Sequence, residues 1–249
     1  MLGSPIAHSL SPALHNAAFA AQGLEYEYTR FELANRLAEF LETEGSKFDG
    51  FSVTMPMKDQ AYQSSAELSE LATRSRSVNT LVKSGAGWGG FNTDVLGFQG
   101  VLSELEFDSV SVIGTGATAR SAITALDGEA QVWGRSLEKT KRLCEEYGSD
   151  PSSLSRALQA DLVISTLPAD ALDPLLEEER FAGVLFDVVY QGWPTAASRK
   201  FAGAVSGKSL LLHQAIFQQR LFVNGDVEAP LESELDVLTA MREALEMAE

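Results

Sequence analysis

The chain has 249 residues, 45% hydrophobic and 22% charged, enough to bury a sizeable core and, at roughly 100 to 200 residues per domain, to form two domains. Its 19 Lys and Arg against 35 Asp and Glu leave a net charge of -16, a field that repels phosphate backbones and anionic bilayers and argues against nucleic-acid and membrane partners. No apolar run nears the roughly 20 residues of a membrane span, no signal-peptide start is present, and Cys144 is the single cysteine, so a cytoplasmic protein without disulfide or thiolate metal cluster is expected.

The stretch Met1 to Pro12 holds a glycine, two prolines and three serines ahead of an apolar-periodic run, a loop entering a helix. Ser11 suits an N-cap and Pro12 the first helical position, with Leu14, Ala17, Ala18 and Ala21 along one face. Ser9 and His8 then either bind a hydroxylated ligand or satisfy the loop backbone. His8, His15 and His213 form no ligand pair at metal spacing, so no metal is expected. Tyr26 to Phe31 alternates aromatic and charged residues as a strand does, and residues 36–42 carry Leu37, Phe40 and Leu41 on one helical face, giving a βαβ rhythm.

Phe51 and Val53 alternate with Ser52 and Thr54 as in a half-buried strand, and Pro56 suits the first turn of a helix, which leaves Lys58 near a helix N-terminus. The helix dipole costs a cation there up to about 1 kcal/mol. Lys58 is therefore either a solvated surface lysine or a cation delivered at a strand end for chemistry. Helical segments through Ala72 precede a hairpin, Val78 to Val82 turning at Gly85 to Gly87 into Trp88 and Phe91. Asn92-Thr93-Asp94 then opens a helix toward Leu105, with Asp94 either an N-cap or a functional carboxylate.

Val110 to Ile113 runs into Gly114-Thr115-Gly116-Ala117-Thr118-Ala119, a G-x-G-x-x-A turn between strand and helix. Gly114 allows the tight turn, Gly116 lets a pyrophosphate approach the backbone, Ala119 lets helix and strand pack closely, and the helix start at Ala117 and Thr118 supplies N–H donors. A second strand, Ala130 to Trp133, ends in Gly134-Arg135-Ser136 where NAD sites usually carry an acid. Arg135, Ser136 and Lys139 would accept a 2'-phosphate, so NADP is the expected cofactor, against the plainer reading of two cations opening a helix. Strands over 162–166 and 184–190 place Thr166 at a C-terminal strand edge, where a nicotinamide can rest, and Tyr190 at another. A short strand or turn at 203–207 and helices from Leu210 and over 231–248 close the chain, with Gln214 on the first of these helices structural or functional.

In order, S-P-I-A-H-S-L-S-P, S-V-T-M-P-M-K, S-V-N-T-L, F-N-T-D-V-L-G-F, the glycine turn, D-V-V-Y and L-L-L-H-Q-A resemble the shikimate dehydrogenase family over essentially the whole chain. The resemblance implies an α/β fold of two domains with a cleft between them. One is an N-terminal α/β substrate domain, residues 1–95 completed by C-terminal helices 209–249; the other is a Rossmann-type NADP-binding domain, residues 96–208. It implies Lys58 and Asp94 as the catalytic pair, and Ser9, Ser11, Thr54, Asn79, Asp94, Tyr190 and Gln214 as contacts to shikimate or 3-dehydroshikimate. The implied reaction is reversible hydride transfer between NADP(H) and that substrate in aromatic amino acid biosynthesis, with the lysine ammonium stabilising charge on the carbonyl oxygen.

The chain departs from the family pattern at four places. Only Met1 and Leu2 stand where a short first strand is usual, so that strand is truncated or the start lies upstream. Ser52 replaces an asparagine, Gly134-Arg135-Ser136 an N-R-T triplet, and Ser165-Thr166-Leu167-Pro168 an asparagine-rich turn. An NAD-preferring quinate/shikimate dehydrogenase and a non-catalytic metabolite-binding paralogue are the alternatives, and a homodimer is left open.

Overall fold

The computed structural model describes residues 1–176 and 179–248, which divide into two units, Met1–Gly97 with Leu211–Glu249, and Phe98–Leu210. In the first unit β1 (Leu2–Gly3) is present, short, and pairs in parallel with β2 (Phe31–Glu32). The strand expected over 26–31 contracts to the end of that stretch because Asn16 takes both backbone groups of Tyr28. Its Nδ2 donates to Tyr28 O at 3.1 Å and its Oδ1 accepts from Tyr28 N–H at 2.8 Å, side-chain bonds that compete with a ladder.

Helix α1 (Ser11–Ala21) starts at Ser11 itself, with Leu10 at the cap position and making no side-chain bond. Ser11 is therefore helical and not a cap; the local acceptor is Ser9 Oγ, which takes the Ser11 N–H at 3.3 Å. Then follow α2 (Leu37–Thr43), β3 (Gly50–Ser52), α3 (Lys58–Ser64), β4 (Glu67–Leu68), α4 (Glu70–Ser75), β5 (Thr80–Ser84), β6 (Gly87–Phe91) and α5 (Thr93–Leu102). The sheet order is β3-β5-β6-β4, antiparallel except for β4 with β6. It is mixed, where the βαβ rhythm suggested parallel strands, because β5 and β6 are joined at Ser84↔Gly87 by a tight turn that only antiparallel neighbours allow. Phe31, Phe40, Phe48, Phe51 and Trp88 pack ring to ring at 5.2–5.7 Å over this sheet.

The second unit contains β7 (Val110–Ile113), α6 (Ala117–Ala125), β8 (Gln131–Trp133), α7 (Leu137–Tyr147), β9 (Asp150–Pro151), α8 (Leu154–Ala157), β10 (Leu162–Ser165), β11 (Phe181–Asp187) and β12 (Phe201–Ser206). Its six strands are all parallel, in the order β12-β11-β10-β7-β8-β9. The order reverses between β7 and β10, the point where doubly wound sheets bind ligands at their carboxyl ends. Alternate strand residues feed opposite faces: Val112, Ile164 and Phe186 pack on one core, Ile113, Val163 and Leu185 on the other. This is a Rossmann-type α/β arrangement. The sequence reading missed β9, a two-residue edge strand ending in Pro151, where a proline removes no ladder donor from a central strand. Cys144 is buried in the first of the two cores.

Helix α9 (Gly207–Asn224) leaves the second unit and continues into the first, where α10 (Glu234–Met247) follows. Leu14 and Ala18 of α1, Ala215 of α9, and Val237 and Met241 of α10 form one fully buried cluster.

Candidate functional site

Strand β3 is followed by Val53, which bridges to Leu2, and by a turn in which Thr54 O accepts from Met57 N–H at 2.9 Å. Pro56 lies in that turn, before the helix and not in its first turn; Met57, fully buried, precedes Lys58, which opens α3. The anchored turn delivers the lysine inward. Lys58 Nζ donates to Asp94 Oδ2 at 2.5 Å, with the two side chains only 12% and 9% exposed. The surface-lysine reading is thereby excluded.

Asp94 sits in the first turn of α5, where a carboxylate is favoured by the dipole. It is not the cap: Asn92 Oδ1 accepts the Asp94 N–H at 3.1 Å, which leaves the carboxylate to face Lys58. Asp94 Oδ1 accepts from Asn79 Nδ2 at 2.8 Å. Asn79 Nδ2 also lies 3.4 Å from Gln214 Oε1, and Asn79 Oδ1 accepts from Thr93 N–H at 2.8 Å. Gln214 Oε1 in turn accepts from Thr93 Oγ1 at 3.3 Å. Helices α3, α5 and α9 and the residue just before β5 thus converge on a buried group of hydroxyl, amide, carboxylate and ammonium.

Of the expected substrate contacts, Asn79, Asp94 and Gln214 belong to this network. Thr54 closes the turn that carries Lys58. Ser9 and Ser11 stand at the start of α1, Ser11 buried and Ser9 half-buried, and among the described residues neither bonds to the network. Tyr190 is half-buried beyond β11 in the second unit. Ser52 is buried on the face expected to be solvated, because its hydroxyl donates to Gln218 Oε1 at 2.9 Å. Sequence reading missed Thr93, His15 and Gln218. The available signal was Gln218 at i+4 from Gln214, which puts both amides on one face of α9.

His15 is fully buried and stacks on Tyr28 at 4.3 Å; burial lowers its pKa to about 3. The Tyr28 hydroxyl is also buried, which raises its pKa against the opposing effect of the Ser52 and Ser11 hydroxyls beside it.

In the second unit the glycine turn sits at the sheet's reversal point. Gly114 has φ +131° and its N–H reaches Trp133 O at 2.8 Å. A Cβ there would lie 2.2 Å from Thr166 Oγ1, so glycine is required and Thr166 packs directly on the turn. Gly116 caps α6 without a side-chain bond, and a Cβ added to it meets nothing within 4 Å. The backbone there is open to a phosphate, and Ala117, Thr118 and the fully buried Ala119 form the helix start behind it.

Ser136 caps α7 by accepting from Lys139 N–H at 3.3 Å. Arg135 and Lys139 are exposed beside it and pair with no carboxylate among the described residues. Two cations without a partner, next to a hydroxyl, fit a phosphate monoester on a ribose. Burial raises the Asp187 carboxyl, at the end of β11, to about 6. Among the described residues no group of His, Cys, Asp and Glu could hold a metal ion, and no helix is long and apolar enough to cross a membrane.

Residues 1–81 match the sequence profile of the shikimate dehydrogenase substrate binding domain. A shikimate dehydrogenase (NADP(+)) of Ignicoccus hospitalis is 32% identical over 243 residues, covering 90% of this chain and 92% of its own. The enzyme of that name from a Synechococcus is 34% identical over 256 residues, with 90% and 87% covered. The crystal structure of Mycobacterium tuberculosis shikimate dehydrogenase superposes with a TM-score of 0.84 at 33% identity, covering 100% of this chain and 98% of that one. That of Thermus thermophilus shikimate 5-dehydrogenase in complex with NADP(H) and shikimate gives 0.82 at 29%, covering 98% and 97%.

Proposed function

The chain belongs to the shikimate dehydrogenase family, and from that premise we propose that it is an NADP-dependent oxidoreductase interconverting shikimate and 3-dehydroshikimate in aromatic amino acid biosynthesis. The observation that carries the reading is the buried Lys58–Asp94 pair at 2.5 Å, set among the amides of Asn79 and Gln214. Such a group suits a ligand bearing several hydroxyls, since buried polar partners left unpaired are costly and so select for it.

In the reducing direction negative charge develops on the substrate's carbonyl oxygen. The Lys58 ammonium, held by Asp94, stabilises that charge and passes a proton to the oxygen, then recovers one from solvent. A positioned acid–base group of this kind contributes roughly 100-fold to 10,000-fold. NADP, when bound, supplies or takes the hydride. Gly114, Gly116 and the start of α6 would hold its pyrophosphate, and Arg135, Ser136 and Lys139 its 2'-phosphate. Ser9, Ser11, Thr54, Asn79 and Gln214 are proposed substrate contacts, with residues 1–95 and 209–249 as the substrate domain and 96–208 as the cofactor domain. A cytoplasmic location belongs to the same reading, supported by the single free cysteine.

The test is an absorbance assay of the purified chain with shikimate or quinate and NADP+ or NAD+. Shikimate with NADP+ as the best pair is the expected result. Quinate with NAD+ as the best pair would replace the proposal with the quinate enzyme, and binding of both ligands without turnover would make the chain a metabolite sensor.

A further inference from the structure

We propose that Gln218 is a positioning residue for the Lys58–Asp94 pair, acting through Thr80 and Asn79, with His15 and Ser52 holding its amide in register. The proposal rests on the functional reading above for its substrate.

Donor and acceptor roles along this chain of groups are settled from both ends. Gln219 Nε2 lies 3.4 Å from His15 O, a backbone oxygen that only accepts, so the amide nitrogen faces the histidine. The same nitrogen is 2.7 Å from His15 Nδ1, which must therefore accept. Burial holds His15 neutral, with a pKa of about 3, so its one proton sits on Nε2 and is donated to Gln218 Oε1 at 3.1 Å. Ser52 Oγ donates to the same oxygen at 2.9 Å. The Gln218 nitrogen then faces the other way, toward Thr80 Oγ1 at 2.8 Å and Asn79 O at 3.3 Å. Asn79 O can only accept, which gives the same orientation independently.

Thr80 has one hydroxyl proton. With Gln218 donating to its oxygen, that proton goes to Asn79 Oδ1 at 2.8 Å. Asn79 Oδ1 is thus fully engaged by donors, including Thr93 N–H at 2.8 Å, and Nδ2 is turned to Asp94 Oδ1. The carboxylate is left with Oδ2 for Lys58. Thr80 is fully buried, and His15 and Gln219 likewise, with Gln218 2% exposed. At that burial bulk solvent does not reach these bonds, and a broken link leaves an unpaired buried group that reorients its neighbours. Among the described residues Gln218 makes no hydrogen bond to Lys58 or Asp94, so its influence is on their geometry.

The experiment measures kcat and KM for shikimate with NADP+ across pH for the full chain and for Gln218→Met, Gln218→Glu and Thr80→Val, each first shown by thermal melt to fold. Gln218→Met and Thr80→Val are expected to lower kcat about 5- to 10-fold while KM stays within about twofold. Gln218→Glu adds a buried negative charge, and since the assay runs in the oxidising direction, where the catalytic pair takes up a proton, the acidic limb of its kcat profile should move to higher pH. A purely structural role would lower the melting temperature without moving that limb. Should Gln218→Met not fold, Thr80→Val decides by the same split. Folded variants with unchanged kcat and pH profile would overturn the proposal while the wild type remains active on shikimate. A wild type inactive on shikimate would overturn the functional reading and this proposal with it.

Discussion

Lys58 Nζ and Asp94 Oδ2 lie 2.5 Å apart across 36 residues of sequence, joining the first turn of α3 to the first turn of α5. A lysine at a helix N-terminus is opposed by the dipole, and an aspartate there is favoured. The pairing offsets the first effect and uses the second, so the cation is held in place by a neighbouring helix start.

Lys58→Ala should lower kcat for shikimate oxidation by about 100-fold or more while changing the shikimate dissociation constant only a few-fold, because the ammonium acts on charge present in the transition state. Steady-state kinetics with direct binding by calorimetry measures both. Equal losses in the two would assign the lysine to ground-state binding.

Arg135→Ala should raise KM for NADP+ about tenfold or more and leave KM for NAD+ nearly unchanged, since the guanidinium's partner is the 2'-phosphate that NAD lacks. Parallel saturation curves for the two cofactors check it. An equal rise in both would place the arginine elsewhere on the nucleotide.

The two glycines of the turn should separate stability from binding. Gly114→Ala meets Thr166 Oγ1 and a φ of +131°, so it should cost about 1–3 kcal/mol of stability in a urea melt. At Gly116 a Cβ enters open space, so Gly116→Val should cost only the weaker helix cap, about 1 kcal/mol or less in the melt, while weakening NADP binding. Normal NADP affinity in Gly116→Val would remove the pyrophosphate from this loop.

His15 sets a pH dependence of stability. Its pKa is about 3 in the fold against 6.5 for the free side chain, so below 6.5 the unfolded chain binds the proton that the native chain refuses. The contribution is complete above pH 6.5 and is lost as pH falls toward 3, at up to about 1.4 kcal/mol per unit. Asp187 acts oppositely: with its carboxyl raised to about 6 from 3.8, native stability rises as pH falls through that window. Urea midpoints from pH 7 to pH 4 for the wild type and His15→Asn should show the shallower acid loss in the variant. Superimposable slopes would contradict the burial account of His15.

Much of the second unit was legible in the chain itself. Val110–Ile113 and Leu162–Ser165 are short buried runs and Gln131–Trp133 a half-buried one, all bounded by turn residues, and G-x-G-x-x-A between a strand and a helix states its own geometry, because only glycine tolerates the turn and the approach of Thr166. The β5–β6 hairpin was equally local, its turn written in Gly85 to Gly87.

What the chain alone left open was settled by contacts between residues far apart. Whether Asp94 caps its helix or meets Lys58 depends on Asn92 taking the cap bond, and whether Ser52 faces solvent depends on Gln218, 166 residues away. Tyr26 to Phe31 has a strand's alternation, yet Asn16 captures the backbone of Tyr28. Periodicity records which side of an element is buried. It carries no record of which polar partner waits there, since a buried hydrogen bond is specified by two residues together and by the fold that brings them within 3 Å or so.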